Sequence, residues 1–433
     1  MFSDIASKLH AESNSLYRLR DELQAHGCDI RDMVSGNINE SGYIFPQNLI
    51  EEIMVRAARA CRVYRPDSFG QRPARDAVSE FYGRSGVAID PANILITPGS
   101  SLAYWYCFRL LADAGDEILC PRPSYPLFDY IALLADVKLT SYRMLEENGW
   151  AIDLEYLEAN ITTRTRAIAL ISPHNPTGYV ASAEEIAGLA DIARRHNLPI
   201  ISDEVFSEFL IDPGELPRPA TSGAPLVFTL NGFSKMFALP GMKIGWMAIS
   251  GDMDKVRQVM RALELISDTF LPVNEIAQAA APEFFQLGNA VRFEFSMRIR
   301  AAWRLTEKHL METDACRYEK PGGGFHVVLN LNGGKSDEEE TARRILLENH
   351  LLVHPGYFYD MSPHHLVLCF VQKPEIINTA FPELFKTLQT VRPSPDISYR
   401  FVARGRKRAW IQGARSFGDE GILRNVQETK QAQ

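Results

Sequence analysis

With 433 residues, the chain exceeds the size at which a single hydrophobic core stops growing, so one large and one smaller domain are expected. Hydrophobic residues at 46% and charged residues at 23% are ordinary for a globular protein with a sizeable core. Lys plus Arg (46) against Asp plus Glu (54) leaves a net charge of −8, which argues against a broad nucleic-acid or anionic-membrane surface and for small-molecule partners. Cys28, Cys61, Cys107, Cys120, Cys316 and Cys369 lie far apart, with no C-x-x-C pair and no Cys/His cluster at metal spacing. That fits core thiols in a reducing compartment and no structural zinc. Asp4 and Lys8 fall where a secretory leader needs an apolar run, and no run of about 18 apolar residues occurs. The expectation is a cytoplasmic protein, with no membrane span and no nucleic-acid partner.

In chain order, residues 11–24 and 47–61 read as helices separated by a turn-rich segment, and at this length they cannot form a core alone. From residue 93 onward short β-rich runs alternate with helical stretches, at 93–97, 117–120, 137–142, 167–172, 199–203, 226–230 and 243–250. Such alternation predicts an α/β fold whose mostly parallel sheet, of a seven-stranded type, is covered by helices on both faces. Ligands then sit outside the carboxyl ends of the strands. Helices follow at 254–266, 275–286 and 290–311. Strands at 325–331, 351–354 and 366–371 then interleave with helices at 337–349 and 374–390, a smaller α+β domain. The expected division is 1–62 as amino-terminal helices of the small domain, 63–265 as the large domain, and 266–392 as the rest of the small domain. Residues 393–433, with Arg400, Arg404, Arg406, Lys407 and Arg408, form a basic, then polar, solvated extension.

Chemistry concentrates at strand ends. Lys235 lies between two apolar runs, at the carboxyl end of a buried strand. Burial there lowers a lysine's pKa and frees an amine that can attack a carbonyl to form a Schiff base; a surface lysine in a loop is the competing reading. If the ligand is pyridoxal phosphate, four further groups are needed, and each has a candidate. Gly99, Ser100 and Ser101 open a helix after a strand, as a phosphate site or as a plain cap. Asp203 ends an apolar strand, as the partner of a protonated ring nitrogen or as a helix cap. Asn175 sits in Asn-Pro-Thr-Gly, able to reach a ring oxygen or simply to build a turn. Tyr125 follows another strand and can stack on a ring or pack in the core.

The order Gly-Ser-Ser, Pro-x-Tyr-Pro, Asn-Pro-Thr-Gly, Asp-Glu-Val-Phe, Ser-Lys resembles the class I/II aminotransferases of pyridoxal phosphate fold type I, over roughly residues 36–385. The resemblance implies that Lys235 is the Schiff-base lysine and proton shuttle, Asp203 the partner of the ring nitrogen, and Asn175 the donor to the ring oxygen. It makes Tyr125 the ring stacker, and Gly99, Ser100, Ser101 and Ser234 the phosphate contacts. Tyr64 resembles the tyrosine that reaches the phosphate of a neighbouring subunit's cofactor, which implies a homodimer with shared sites. The implied activity moves an amino group from an amino acid or amine to a 2-oxo acid. Two rivals stand beside it: a lyase, decarboxylase or cyclase of the same fold, and a regulator that has lost catalysis.

Three positions depart from the family pattern. Lys243 stands where a phosphate-binding arginine is usual, which keeps the charge but loses the bidentate fork. Phe206 replaces a tyrosine, removing a hydroxyl from the cofactor's ring oxygen. Val367 takes the place of the arginine that grips the substrate α-carboxylate. Either another cation, such as Arg298, Arg300 or Lys373, grips it from a new angle, or the substrate lacks a carboxylate there.

Overall fold

The computed structural model describes residues 3–9, 14–331 and 337–390; residues 11–13 of the expected first helix and the expected extension at 393–433 lie outside them. The first long helix, Ser15–Ala25, opens where the Asn14 side chain accepts the backbone N–H of Leu16. It is followed by the short strand β1 (Arg31–Asp32) and the amphipathic helix Gln47–Ala60.

The large sheet is built from β2 (Ile94–Thr97), β3 (Glu117–Arg122), β4 (Lys138–Leu145), β5 (Ala151–Ile152), β6 (Thr165–Ile171), β7 (Ile200–Asp203), β8 (Leu226–Gly232) and β9 (Gly245–Gly251). Their spatial order is β2-β9-β8-β7-β6-β3-β4-β5. The central pairs β4/β3, β3/β6, β6/β7 and β7/β8 are parallel, while β2/β9, β9/β8 and β4/β5 are antiparallel. All seven expected strands are present, and β5 makes an eighth. Two residues are too short to leave an alternating pattern in the sequence.

Both faces of the central strands are buried, so successive side chains feed two cores. Phe228 and Leu230 join a core with Phe108 and Leu263, from the helices Ser100–Leu111 and Met253–Phe270. Val227, Ile168 and Leu170 join another with Ile186 and Leu189, from the helix Ala183–His196. That last helix starts on a capping box of Ser182 and Glu185. Because β2 and β8 are each antiparallel to β9, β2 runs with the parallel strands. The carboxyl ends of β2, β3, β6, β7 and β8 therefore meet along one edge.

A second sheet contains β10 (Cys316–Tyr318), β11 (His326–Leu331), β13 (His354–Pro355) and β14 (His365–Cys369), with β12 (Leu351–Leu352) just before β13. Its order is β10-β11-β14-β13, all antiparallel. The single strand expected at 351–354 is split: β12 pairs in parallel with β1, and β13 pairs with β14. The amino-terminal segment is thus stitched onto the carboxyl-terminal sheet. His365 Nε2 lies 3.0 Å from Glu146 Oε2, joining that sheet to the end of β4.

Candidate active site

A cavity of about 460 Å³ opens where the strand ends of the large sheet face β1, β11 and the segment before β14. Ser100, Ser101, Tyr125, Asn175, Asp203, Phe206, Ser234 and Lys235 all line it. Residues spread over more than a hundred positions converge there because five strands end on one edge.

After β8 the chain makes one helical turn, Phe233–Met236, rather than an open turn, and this aims Lys235 inward. Its Nζ donates to the Gly36 carbonyl at 2.7 Å and sits 5.8 Å from the ring centroids of both Phe206 and Phe325. Burial lowers the pKa of this amine. A side chain at Gly36 would put a Cβ 3.1 Å from Nζ, so glycine keeps the amine room to move.

Asp203 and Glu204 are adjacent buried carboxylates with opposite circumstances. Glu204 forms an ion pair with the buried Arg218. Among the described residues Asp203 accepts only neutral donors, Tyr104 O–H at 3.0 Å and the Val205 N–H at 3.0 Å. Burial pushes its pKa up to about 6, against the pull of those two hydrogen bonds. A buried carboxylate held this way lacks a cation.

The helix Ser100–Leu111 turns its unpaired N–H groups toward the same space, next to the Ser100 and Ser101 side chains. Gly99 precedes it at φ 121°, a conformation open to glycine and strained for any other residue. Asn175 Oδ1 is buried without a partner among the described residues. An anion cradle, a carboxylate short of a cation, an unsatisfied amide and a pKa-lowered amine in one cavity fit pyridoxal phosphate group by group.

Of the expected contacts, Gly99 precedes the lining Ser100 without lining the cavity itself, and two others lie away from it. Lys243 is exposed, at φ 49° after the turn Pro240–Met242, and does not line it. Tyr64 is 69% exposed and borders a separate surface recess with Asp67 and Gln278. Sequence reasoning missed Tyr104, although it lies one helical turn from Ser100 and so shares its face. It also missed Tyr17, Asp32, His326 and Tyr359, which line the opposite wall from segments too short or too distant to carry a pattern.

Val367 is fully buried in β14. His365 and Cys369 share its face by strand alternation; His365 reaches Glu146, and the Cys369 thiol feels the Lys235 charge. Val367 lies between them in the strand and does not itself line the cavity. The alternative cations lie outside the cavity. Arg298 stacks 4.1 Å from the Tyr43 ring centroid and donates to Gly42 O at 3.0 Å, and Arg300 donates to Leu210 O at 2.9 Å. Lys373 lies beside Gly42, and none of the three lines the cavity.

A sequence profile described as aminotransferase class I and II matches residues 35–379. The chain is 32% identical over 382 residues to the glutamate-pyruvate aminotransferase AlaA of Escherichia coli K12, covering 84% of this chain and 92% of that one. It is 29% identical over 368 residues to a probable aspartate aminotransferase of Methanocaldococcus jannaschii, covering 81% and 92%. Among solved structures, the alanine aminotransferase of Pyrococcus furiosus superposes with a TM-score of 0.84 at 27% identity, covering 90% of this chain and all of that one. These matches favour transamination over elimination, decarboxylation or cyclisation. The chain belongs to the class I and II aminotransferase family and is a pyridoxal phosphate-dependent aminotransferase.

Proposed function

We propose that Lys235 is the residue that carries the cofactor and moves the proton, in a site whose grip on the substrate departs from an arginine–carboxylate clamp. The observation that supports this most is the meeting of the Lys235 amine and the cation-less Asp203 carboxylate in one cavity. When bound, pyridoxal phosphate supplies a carbonyl carbon for amines and a ring that takes up the electrons released as the donor loses its α-proton. Lys235, whose pKa burial lowers, removes that proton and returns one. Asp203 balances a positive ring nitrogen, with Tyr104 and Val205 holding the carboxylate in place. Asn175 serves the ring oxygen and Tyr125 the ring face. Gly99, Ser100, Ser101 and Ser234 hold the phosphate, while Lys243, exposed outside the cavity, adds only a distant positive charge. Phe206 and Phe325 keep water from the amine.

The active unit is proposed to be a homodimer in which Tyr64, exposed on one protomer, reaches the partner's cofactor phosphate. We further propose a large domain at 63–265, a small one from 1–62 and 266–392, and a cytoplasmic location. No helix among the described residues is long and apolar enough to cross a membrane.

The test is a half-reaction without acceptor. Mixing loaded enzyme with an amino donor should shift the cofactor absorbance and release one carbonyl product per site, and Lys235→Ala should do neither. Continuous turnover without an acceptor would overturn the reading.

A further inference from the structure

The wall opposite the cofactor residues carries a charge pattern of its own. At the register point where Val367 stands in β14, its partner on β13 is His354, so the two share one face. His354 is fully buried, and its two ring nitrogens lie 2.8 Å from Tyr17 Oη and 3.1 Å from Tyr359 Oη. Both tyrosines line the cavity. Burial drives the His354 pKa down to about 3 and that of His326, also in the wall, down to about 4, so both rings are neutral near pH 7. The space that an arginine would make cationic is filled by a neutral Tyr17–His354–Tyr359 chain.

Asp32 adds a negative charge to the same wall. Its Oδ1 accepts the N–H groups of Val34 and Ser35 at 2.7 and 2.8 Å, a local turn that explains one oxygen. No described residue donates to Oδ2. With Lys235 and Asp203 both committed to the cofactor, Asp32 is the remaining charged side chain among those that line the cavity. A substrate α-carboxylate there meets a like charge and no cation, whereas an ammonium meets a carboxylate and hydroxyls.

We infer that the amino donor is a diamine or related amine with a second cationic nitrogen and no α-carboxylate, held through Asp32 with Tyr17 and Tyr359. This rests on the aminotransferase reading of the site. The donor's C–N bond breaks and its carbon leaves as an aldehyde, oxidised by two electrons. The same two electrons reduce the carbonyl carbon of a 2-oxo acid acceptor as its C–N bond forms, and the water consumed in the first half is released in the second. The acceptor's carboxylate faces the same wall, so its half-reaction saturates only at high concentration.

The test mixes the loaded full-length enzyme with 1,4-diaminobutane, butylamine, alanine and glutamate, following cofactor absorbance. The expected order of kcat/KM is diamine, then monoamine, then both amino acids. Asp32→Asn keeps the acceptor for Val34 and Ser35 and should reduce the diamine-to-monoamine ratio by about tenfold, the scale of one charge-assisted hydrogen bond. Alanine or glutamate reacting as well as the diamine, or a ratio unchanged in Asp32→Asn, overturns the inference and leaves the aminotransferase intact. Failure of every donor to change the spectrum overturns the aminotransferase reading itself, and this inference with it.

Discussion

The two walls of the cavity differ in how they are made. The wall proposed for the cofactor comes from one edge of one sheet, each residue a step or two beyond a buried strand, and it follows the family pattern nearly throughout. The facing wall is assembled from the helix Ser15–Ala25, β1, β11 and the turn before β14, and it departs where substrate would be gripped. On the proposed roles, bond breaking falls to the first wall and the choice of substrate to the second, and the two are built by separate parts of this chain. One part keeps most of the motifs by which the chain resembles the family; the other has a valine where the resemblance expects an arginine.

Removing the centre of the first wall should have the largest effect. Lys235→Ala is expected to slow the half-reaction by at least about 10³-fold, the loss of both carrier and proton-transfer group, as read by rapid mixing. A residual rate within tenfold of wild type would break the comparison at its base. Asp203→Asn should lower the rate by about 10²-fold through lost electrostatic support.

Asp203→Asn should also have an opposite effect on the cofactor-free protein. The folded pKa of Asp203, about 6, lies above the ordinary carboxylate value of 3.8. The folded state therefore binds that proton more tightly, so its stabilisation is present below about pH 4 and is lost as pH rises through about 6. Cofactor-free Asp203→Asn lacks that slope and should be more stable than wild type at pH 7.5 by roughly 1–3 kcal/mol, with the difference vanishing near pH 4. Thermal melts across that range check it.

On the facing wall, Val367→Arg should raise kcat/KM for alanine by about tenfold, since a charge-assisted clamp then replaces a neutral face. No gain, in a variant that folds and binds cofactor, would mean that the wall handles carboxylates by other means. At the border between the walls, Phe206→Tyr restores a hydroxyl beside the cofactor. The pKa read from the loaded enzyme's absorbance should fall by about one to two units, the worth of a charge-assisted hydrogen bond. An unchanged or raised value would remove Phe206 from the account. The smallest effect is expected for Lys243→Arg, which should tighten cofactor binding by no more than about fivefold, measured by equilibrium dialysis.

The legibility of the two walls in the sequence differs for the same reason. Lys235, Asp203, Asn175, Tyr125 and Gly99–Ser101 each follow an apolar strand, so local pattern and family resemblance both point to them. Tyr104 was within reach, one turn beyond Ser100 on the same helix face. Asp32, in a strand of two residues, and Tyr359, in a short turn, carry no periodicity of their own. The open choice between a relocated cation and no cation could not be made from spacing, because Arg298 and Arg300 lie on a long helix whose inward face depends on what packs against it.

By itself, the sequence determined the seven main strands and their helical cover, and it pointed to Lys235 and the residues proposed to surround the cofactor, because buried strands and the turns after them are written in local apolar pattern. Only the tertiary structure decided the eighth strand, the split of residues 351–354 between two partners, and the identity of the facing wall. Those depend on pairings that sequence spacing does not announce: His354 opposite Val367 on a neighbouring strand, and Tyr17 against His354 and Lys235 against Gly36, 337 and 199 positions apart. No local pattern records which neutral or charged group such pairings will bring to face the substrate.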